Sequence, residues 1–382
     1  MGKFCLRLMQ LKAVGLLAFS KMLSFLNKEK CWVIFERGDD ARDNAYWFYR
    51  YMKRHHPDQK IYYIIDKKSA DYYKVQSDAV QYSSIKSYWI LVNAEKIIST
   101  HYAFGFPGCS QKIFRLCGLN KKLYFLQHGI IKDDIPALYG NSAPMQMFVC
   151  GAAPEYEYVR DTYGHPEGVV QYTGLARFDQ LHDIHAKKQI LVMPTWRQYV
   201  KSWEEFLASD YFRCWQDFLN TPALIDYLRE TKTQLVFYVH YEMQKYINAF
   251  STSSEWIHIA RFADYDVQTL LKESAVLVTD YSSVFFDFAY MRKPMVYFQF
   301  DEDSFFAGHY QRGYFDYRKN GFGEVCTDVE QAVSALLKIC RNSYEAEAYY
   351  LDRIKDFFPL YDCKNCERIY QAIQAAGQLK AD

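Results

Sequence analysis

The sequence predicts an α/β protein made of two doubly wound, Rossmann-like domains preceded by an amphipathic helix. Three observations carry this reading. Short apolar runs such as WVIF, IYYII and AVLV alternate with stretches of helical spacing along the chain, the pattern of parallel sheets covered on both faces. The alternation runs through twice, with the polar stretch LHDIHAKKQ between the two runs. The 382 residues, half of them apolar, are enough to build two sizeable cores.

The N-terminal segment MGKFCLRLMQLKAVGLLAFSKMLSFLNK holds no acid before Glu29. Its longest uncharged run, Ala13 to Ser20, is eight residues, too short to cross a bilayer. No small-residue cleavage site comes after it, which argues against a cleaved signal peptide. Lys3, Arg7, Gln10, Lys21 and Lys28 fall on one helical stripe, interrupted by Val14 and Leu17. Two readings are open: an interfacial helix on an anionic membrane surface, or a helix packed on its own domain.

After this helix, KCWVIFER reads as a strand and DNAYWFYRYMKRHH as a helix capped by Asp43 or Asn44. KIYYIID and DAVQY are further strands, SIKSYWILVNA a helix capped near Ser84, and EKIISTH, KKLYFLQHG, QMFVCGA and VVQYTGL strands. The second half repeats the theme: KQILVMPTW, a long helical region from Trp203 to Glu230, QLVFYVH, WIHIA, a helix around Val267 to Lys272, AVLVTD, the helix in VFFDFAYM, and PMVYFQF. The expected domains are residues 1–30, 31–183 and 184–382.

Lys plus Arg number 46 and Asp plus Glu 45, so the net charge of +1 excludes a general nucleic-acid binder. Ten cysteines are scattered, and only Cys363 and Cys366 form a CxxC; without a second pair they read as reduced thiols of a cytosolic compartment. No metal site and no cofactor are expected. Asp301-Glu302-Asp303 reads as a solvated acidic loop, and His55, His56, His182 and His185 as surface residues.

In open α/β sheets ligands bind beyond the carboxyl ends of strands. Neither GxGxxG nor a Walker loop is present. The residues placed directly after the strands are His128-Gly129, Gly174 and Arg177, Pro194-Thr195-Trp196-Arg197, His240, and Thr279-Asp280-Tyr281-Ser282-Ser283. Histidine can take a proton from a hydroxyl, while arginine and helix N-termini can hold phosphate oxygens. Each has a plain alternative: a structural histidine, an Arg177–Asp179 pair, an ordinary turn at PTW, an ordinary N-cap at TDYSS. His101, after EKIIST, reads as structural. Their joint occurrence at strand ends favours chemistry on a phosphorylated substrate.

The ordered blocks FLQHG, TGLARFD, MPTWR, FYVH, TDYSSVFFDFAYMRKPMVYFQFD and HYQRGYFDYRKNGFGEV resemble the CDP-glycerol glycerophosphotransferases of teichoic acid and capsule synthesis. The similarity runs from about Val33 to about Tyr370. It implies a GT-B-like architecture with the active site in a cleft between two domains, and a peripheral location on the cytoplasmic membrane face. It implies that a hydroxyl of a lipid-linked acceptor attacks the glycerol-bearing phosphate of CDP-glycerol and CMP leaves. His128 is then the general base, with Gly129 beside it. Arg177, Pro194, Thr195, His240 and Thr279 line the donor site, and Ser282 and Ser283 bind the pyrophosphate. Asp287 contacts the glycerol or orders the site, and His240 serves alternatively to stabilise departing CMP. The chain departs from the family pattern at Ile130-Ile131, where Thr-Pro is usual, and at Tyr241, where proline commonly comes after histidine. Its length fits a single-unit or priming transferase somewhat better than a polymerase. The competing readings are a CDP-ribitol-dependent transferase, a GT-B glycosyltransferase that would release a nucleoside diphosphate, and a donor-binding membrane-surface protein without turnover.

Overall fold

The computed structural model describes residues 3–24, 30–102, 111–119, 122–308 and 311–376. Lys28 of the N-terminal stripe, Cys109, and His309 and Tyr310 at the start of the last block lie outside them. The chain divides into two compact units. The first is Met1–Ile130 with Pro136–Asp179 and Asp362–Asp382; the second is Ile131–Ile135 with Gln180–Tyr361.

The first unit is built on seven strands: β1 (Trp32–Phe35), β2 (Ile61–Ile65), β3 (Ala79–Gln81), β4 (Lys96–Ser99), β5 (Leu123–Phe125), β6 (Met145–Cys150) and β7 (Val170–Tyr172). They lie in the order β3-β2-β1-β4-β5-β6-β7, and every ladder between them is parallel. β1, β4 and β5 are buried along their whole length, as strands covered on both faces must be. The order reverses between β1 and β4, so the carboxyl ends of these two neighbours form the switch point where such sheets bind ligands.

The second unit repeats the plan with six parallel strands: β8 (Lys187–Met193), β9 (Gln234–Phe237), β10 (Ile257–Ile259), β11 (Ser274–Thr279), β12 (Met295–Phe298) and β13 (Gly323–Cys326). Their order is β10-β9-β8-β11-β12-β13, with the switch point between β8 and β11. Trp215 anchors its core, meeting the Phe298 ring edge-on with centroids 5.0 Å apart. The helical region expected from Trp203 to Glu230 is three helices, Trp203–Leu207, Asp210–Leu219 and Pro222–Thr231. Ser202 and Ser209 cap the first two, and proline opens the third.

Two expected boundaries differ from the packing. The last helix, Asn365–Ala376, sits in the first unit on β6 and on helix Asn44–His55, not with residues 184–361. Asp179 holds its start: the main-chain N–H groups of Asn365 and Cys366 donate to the two carboxylate oxygens at 2.8 and 2.9 Å. Gly174 is required nearby, because its φ of +77° suits glycine and an added Cβ would fall 1.9 Å from Asn365 Oδ1.

The N-terminal helix (Lys3–Met22) also belongs to the first unit. Ala13, Leu17 and Ser20 form its buried face, packed toward helices Ile85–Asn93 and Gln111–Leu116. Lys21, from the helical stripe of basic residues, donates to the carbonyls of Cys117 (3.1 Å) and Gly118 (2.9 Å), capping the second of these helices. The opposite face is apolar and exposed. Leu8, Leu11, Phe19 and Met22 line it at helical spacing, with Leu11 69% and Met22 63% exposed, and Arg7 and Lys12 flank it. Among the described residues no helix is long and apolar enough to cross a membrane.

Candidate functional site

In the first unit, His128 comes after β5 through a left-handed turn at Gln127 (φ +60°). The Gln127 amide locks that turn, donating to the carbonyl of Val149 at 2.5 Å and to Glu155 at 3.0 Å. Asp43 caps helix Asn44–His55, its Oδ1 accepting the Asn44 N–H at 2.7 Å. Its Oδ2 lies 2.5 Å from His128 Nδ1, and Arg177 Nη1 donates to Oδ1 at 2.9 Å and to the His128 carbonyl at 2.6 Å. Asn44 ties the cluster together, accepting the Arg177 N–H at 3.0 Å and donating to the Gln127 carbonyl at 2.8 Å. Buried Glu36 fixes the entry to the helix by accepting the N–H groups of Arg42, Asp43 and Tyr46.

The electrostatics of this cluster are directional. Burial alone would raise the Asp43 carboxyl, but the charges of His128 and Arg177 and the His128 hydrogen bond hold it down at about 2. Glu36, buried beside Asp43 and Asp40, is pushed well above the usual carboxylate range. An ionised Asp43 bound to Nδ1 selects the tautomer that leaves the His128 Nε2 lone pair open, and the His128 side chain is 61% exposed. The arrangement can take a proton from a hydroxyl and stabilise the resulting imidazolium.

In the second unit, the strand ends at the switch point are locked together. The Thr279 hydroxyl donates to the Met193 carbonyl at 2.7 Å, and Asp280 Oδ1 accepts the N–H groups of Thr195 (2.7 Å) and Tyr281 (2.6 Å). Thr279, expected to line the donor site, is fully buried and serves the sheet. Arg197 was expected at a phosphate-facing strand end, yet it is buried between two acids. It donates to Asp301 through Nε (2.7 Å) and Nη2 (3.0 Å), and its Nη2 is 2.9 Å from Asp280. Asp301 is accordingly a buried ion-pair partner and not part of a solvated loop; Glu302–Gly308 after it is helical.

The remaining expected residues of this unit come after strands β8, β9 and β11. Thr195 is nine-tenths buried and its hydroxyl has no hydrogen-bond partner. His240 lies just beyond β9 and is exposed; its Nδ1 accepts the Glu242 N–H at 3.2 Å, which leaves Nε2 to carry the proton. The Trp196 ring lies parallel to it, 6.2 Å between centroids. Ser283 is the N-cap of the short helix Val284–Tyr290 without a side-chain capping bond, and Ser282 is half-buried before it. Asp287 is buried in that helix.

The structure thus brings His128, Gly129 and Arg177 together in one unit, and Pro194, Thr195, His240, Ser282 and Ser283 at strand ends of the other. Arg177 belongs to the His128 cluster, pairing with Asp43 and not with Asp179. In the sequence Asp43 is visible only as a helix cap, and His101 only as a structural residue. His101 lies beside His128, the two ring centroids 5.5 Å apart. Among the described residues, no cluster of His, Cys, Asp and Glu is suited to hold a metal ion.

The sequence profile of the family described as CDP-Glycerol:Poly(glycerophosphate) glycerophosphotransferase matches residues 16–130 and 174–375. The chain is 30% identical over 371 residues to the minor teichoic acid biosynthesis protein GgaB of Bacillus subtilis, covering 92% of this chain and 40% of that protein. It is 25% identical over 363 residues to the teichoic acid poly(glycerol phosphate) polymerase of the same organism, covering 86% of this chain and 46% of the relative. The chain therefore spans less than half the length of these two relatives. A solved structure of a variant of the wall teichoic acid polymerase TagF, soaked with CDPG, superposes with a TM-score of 0.67 at 18% identity over 98% of both chains. That likeness establishes the fold, which is GT-B-like in its two Rossmann-like units.

Proposed function

The chain belongs to the CDP-glycerol:poly(glycerophosphate) glycerophosphotransferase family, and on that premise we propose that it transfers glycerol phosphate from CDP-glycerol to a hydroxyl of a lipid-linked acceptor. In this reaction the acceptor oxygen attacks the glycerol-bearing phosphorus. The bond from that phosphorus to the bridging oxygen breaks, and CMP leaves with the oxygen. His128 Nε2 takes the acceptor proton. The observation that carries the reading is the 2.5 Å contact between His128 Nδ1 and Asp43, which orients the ring and stabilises its charged form.

The donor side rests on the second unit. Nε2–H of His240 is suited to donate to a phosphate oxygen as negative charge gathers on the leaving group. The unpartnered Thr195 hydroxyl and the Ser282 and Ser283 hydroxyls supply further donors for the pyrophosphate. The outward apolar face of the N-terminal helix, flanked by Arg7 and Lys12, suits the cytoplasmic surface of an anionic membrane, which supports a lipid-linked acceptor.

The test is CMP release from CDP-glycerol with and without acceptor-bearing membranes, for the native chain and for His128→Ala. Acceptor-dependent CMP release that collapses in the variant supports the reading. CMP from CDP-ribitol but not from CDP-glycerol would move the assignment to the other polyol. Release of a nucleoside diphosphate from a sugar donor would replace it with glycosyl transfer.

A further inference from the structure

Arg37 lies two residues beyond β1 and His101 two residues beyond β4, so the two flank the switch point of the first unit. Arg37 Nε donates to His101 Nε2 at 3.2 Å. That ring nitrogen must therefore be an acceptor, which puts the proton on Nδ1, 2.9 Å from the Thr100 hydroxyl. The His101 main-chain N–H is tied to Ser99 Oγ at 3.0 Å. Burial, helped by the neighbouring His128 and Arg37, pushes the His101 pKa down to about 4, so the ring stays neutral and keeps its grip on Arg37 at ordinary pH.

The guanidinium held this way is exposed, and no carboxylate among the described residues forms an ion pair with it. Asp40, close in sequence, accepts the Arg37 main-chain N–H at 3.2 Å. Arg177, by contrast, has its charge matched by Asp43. A positioned arginine fork whose terminal nitrogens have no hydrogen-bond partner among the described residues matches two oxygens of a phosphate. His101 brings it beside the base, since the His101 and His128 rings lie 5.5 Å apart.

We propose that Arg37, positioned by His101, binds a phosphodiester of the acceptor next to its attacking hydroxyl, and is thereby the residue that distinguishes an acceptor ending in a polyol phosphate from one ending in a bare sugar. This rests on the reading of His128 as the base for the acceptor hydroxyl. The donor's pyrophosphate is the other source of the same chemistry, and the experiment separates the two.

Two measurements test it, on the full chain. The first tracks the His101 and His128 ring signals by NMR as glycerophosphoglycerol, a phosphodiester between two glycerols, is added. Arg37→Gln should weaken this binding about tenfold or more, as expected for loss of a hydrogen bond between charged groups. The second measures CMP release with an acceptor ending in glycerol phosphate and with one ending in a bare sugar. Arg37→Gln should raise KM for the first acceptor by about tenfold or more, with KM for CDP-glycerol and for the sugar-ended acceptor within about twofold. His101→Ala should act as Arg37→Gln does, and His101→Gln, which retains an acceptor atom, should restore part of the loss. An equal rise in KM for CDP-glycerol would assign Arg37 to the donor and overturn the proposal; so would glycerophosphoglycerol binding unchanged by Arg37→Gln. Binding weakened by Arg37→Gln, together with no CMP release by the native chain, would support the phosphate site while refuting the transferase reading on which it was placed.

Discussion

The carboxylate of Asp43 lies 2.5 Å from Nδ1 of His128 although the two residues are 85 positions apart in sequence. One oxygen meets the imidazole, and the other meets Arg177 and the first N–H of the helix that Asp43 caps. A single side chain therefore ends a loop, starts a helix and orients the His128 ring.

Asp43→Asn separates these jobs. Asparagine caps helices as well as aspartate does, so helix Asn44–His55 should survive. The variant should lose about a hundredfold or more in kcat with the donor KM little changed, because an amide neither enforces the tautomer nor balances the imidazolium. Steady-state CMP release together with circular dichroism checks this. The native carboxyl sits at about 2, below the ordinary 3.8. Its pairing should thus stabilise the protein above about 3.8, with that contribution lost as pH falls toward 2, and the variant should lack this part of the acid dependence.

His101 should titrate near 4 in the folded protein, against an ordinary 6.5. The unfolded chain then takes up the proton first as pH falls. This group's contribution to stability is complete above about 6.5 and declines as pH drops toward 4. Denaturant melts across that range should show a decline that His101→Gln reduces, and NMR titration of the ring should give the midpoint directly. A midpoint near 6.5 would contradict a neutral anchor for Arg37.

Arg197 and its two acids should prove structural. Arg197→Ala leaves Asp280 and Asp301 buried without their cation and should cost about 3–5 kcal/mol in a urea melt. An Arg197 that held donor phosphate would instead raise the KM for CDP-glycerol while sparing stability.

The exposed stripe of the N-terminal helix should bind membranes. Leu11→Glu with Phe19→Glu should abolish co-sedimentation with vesicles containing anionic lipid while leaving the melting temperature nearly unchanged, because both side chains point away from the buried face. Lys21→Ala should do the reverse, loosening the cap on helix Gln111–Leu116 with little effect on sedimentation.

Much of the fold was legible because strand and helix periods are local properties. Trp32–Phe35, Ser274–Thr279 and the capped helix at Asn44 all lie where apolar runs and cap residues put them. His128 and His240 were visible as polar residues just past apolar strands. The roles of Arg177, Arg197, Thr279 and Asp301 were not, because each depends on a partner brought close by strand order. Arg197 meets an acid 104 residues away at Asp301, and Arg177 one 134 residues away at Asp43.

By itself, then, the sequence determined the alternation of strands and helices, the strand ends at which ligand-facing residues gather, and the family to which the ordered blocks point. These come from hydrophobic period, cap chemistry and motif order, all of which lie along the chain. Only the tertiary structure decided which charges are matched and which remain open. It buried Arg197 between two acids, gave Asp43 to both His128 and Arg177, and left Arg37 anchored to a neutral His101 with no ion pair among the described residues. The physical reason is that an ion pair forms between neighbours in space, and in these parallel sheets the order of the strands sets which residues become neighbours.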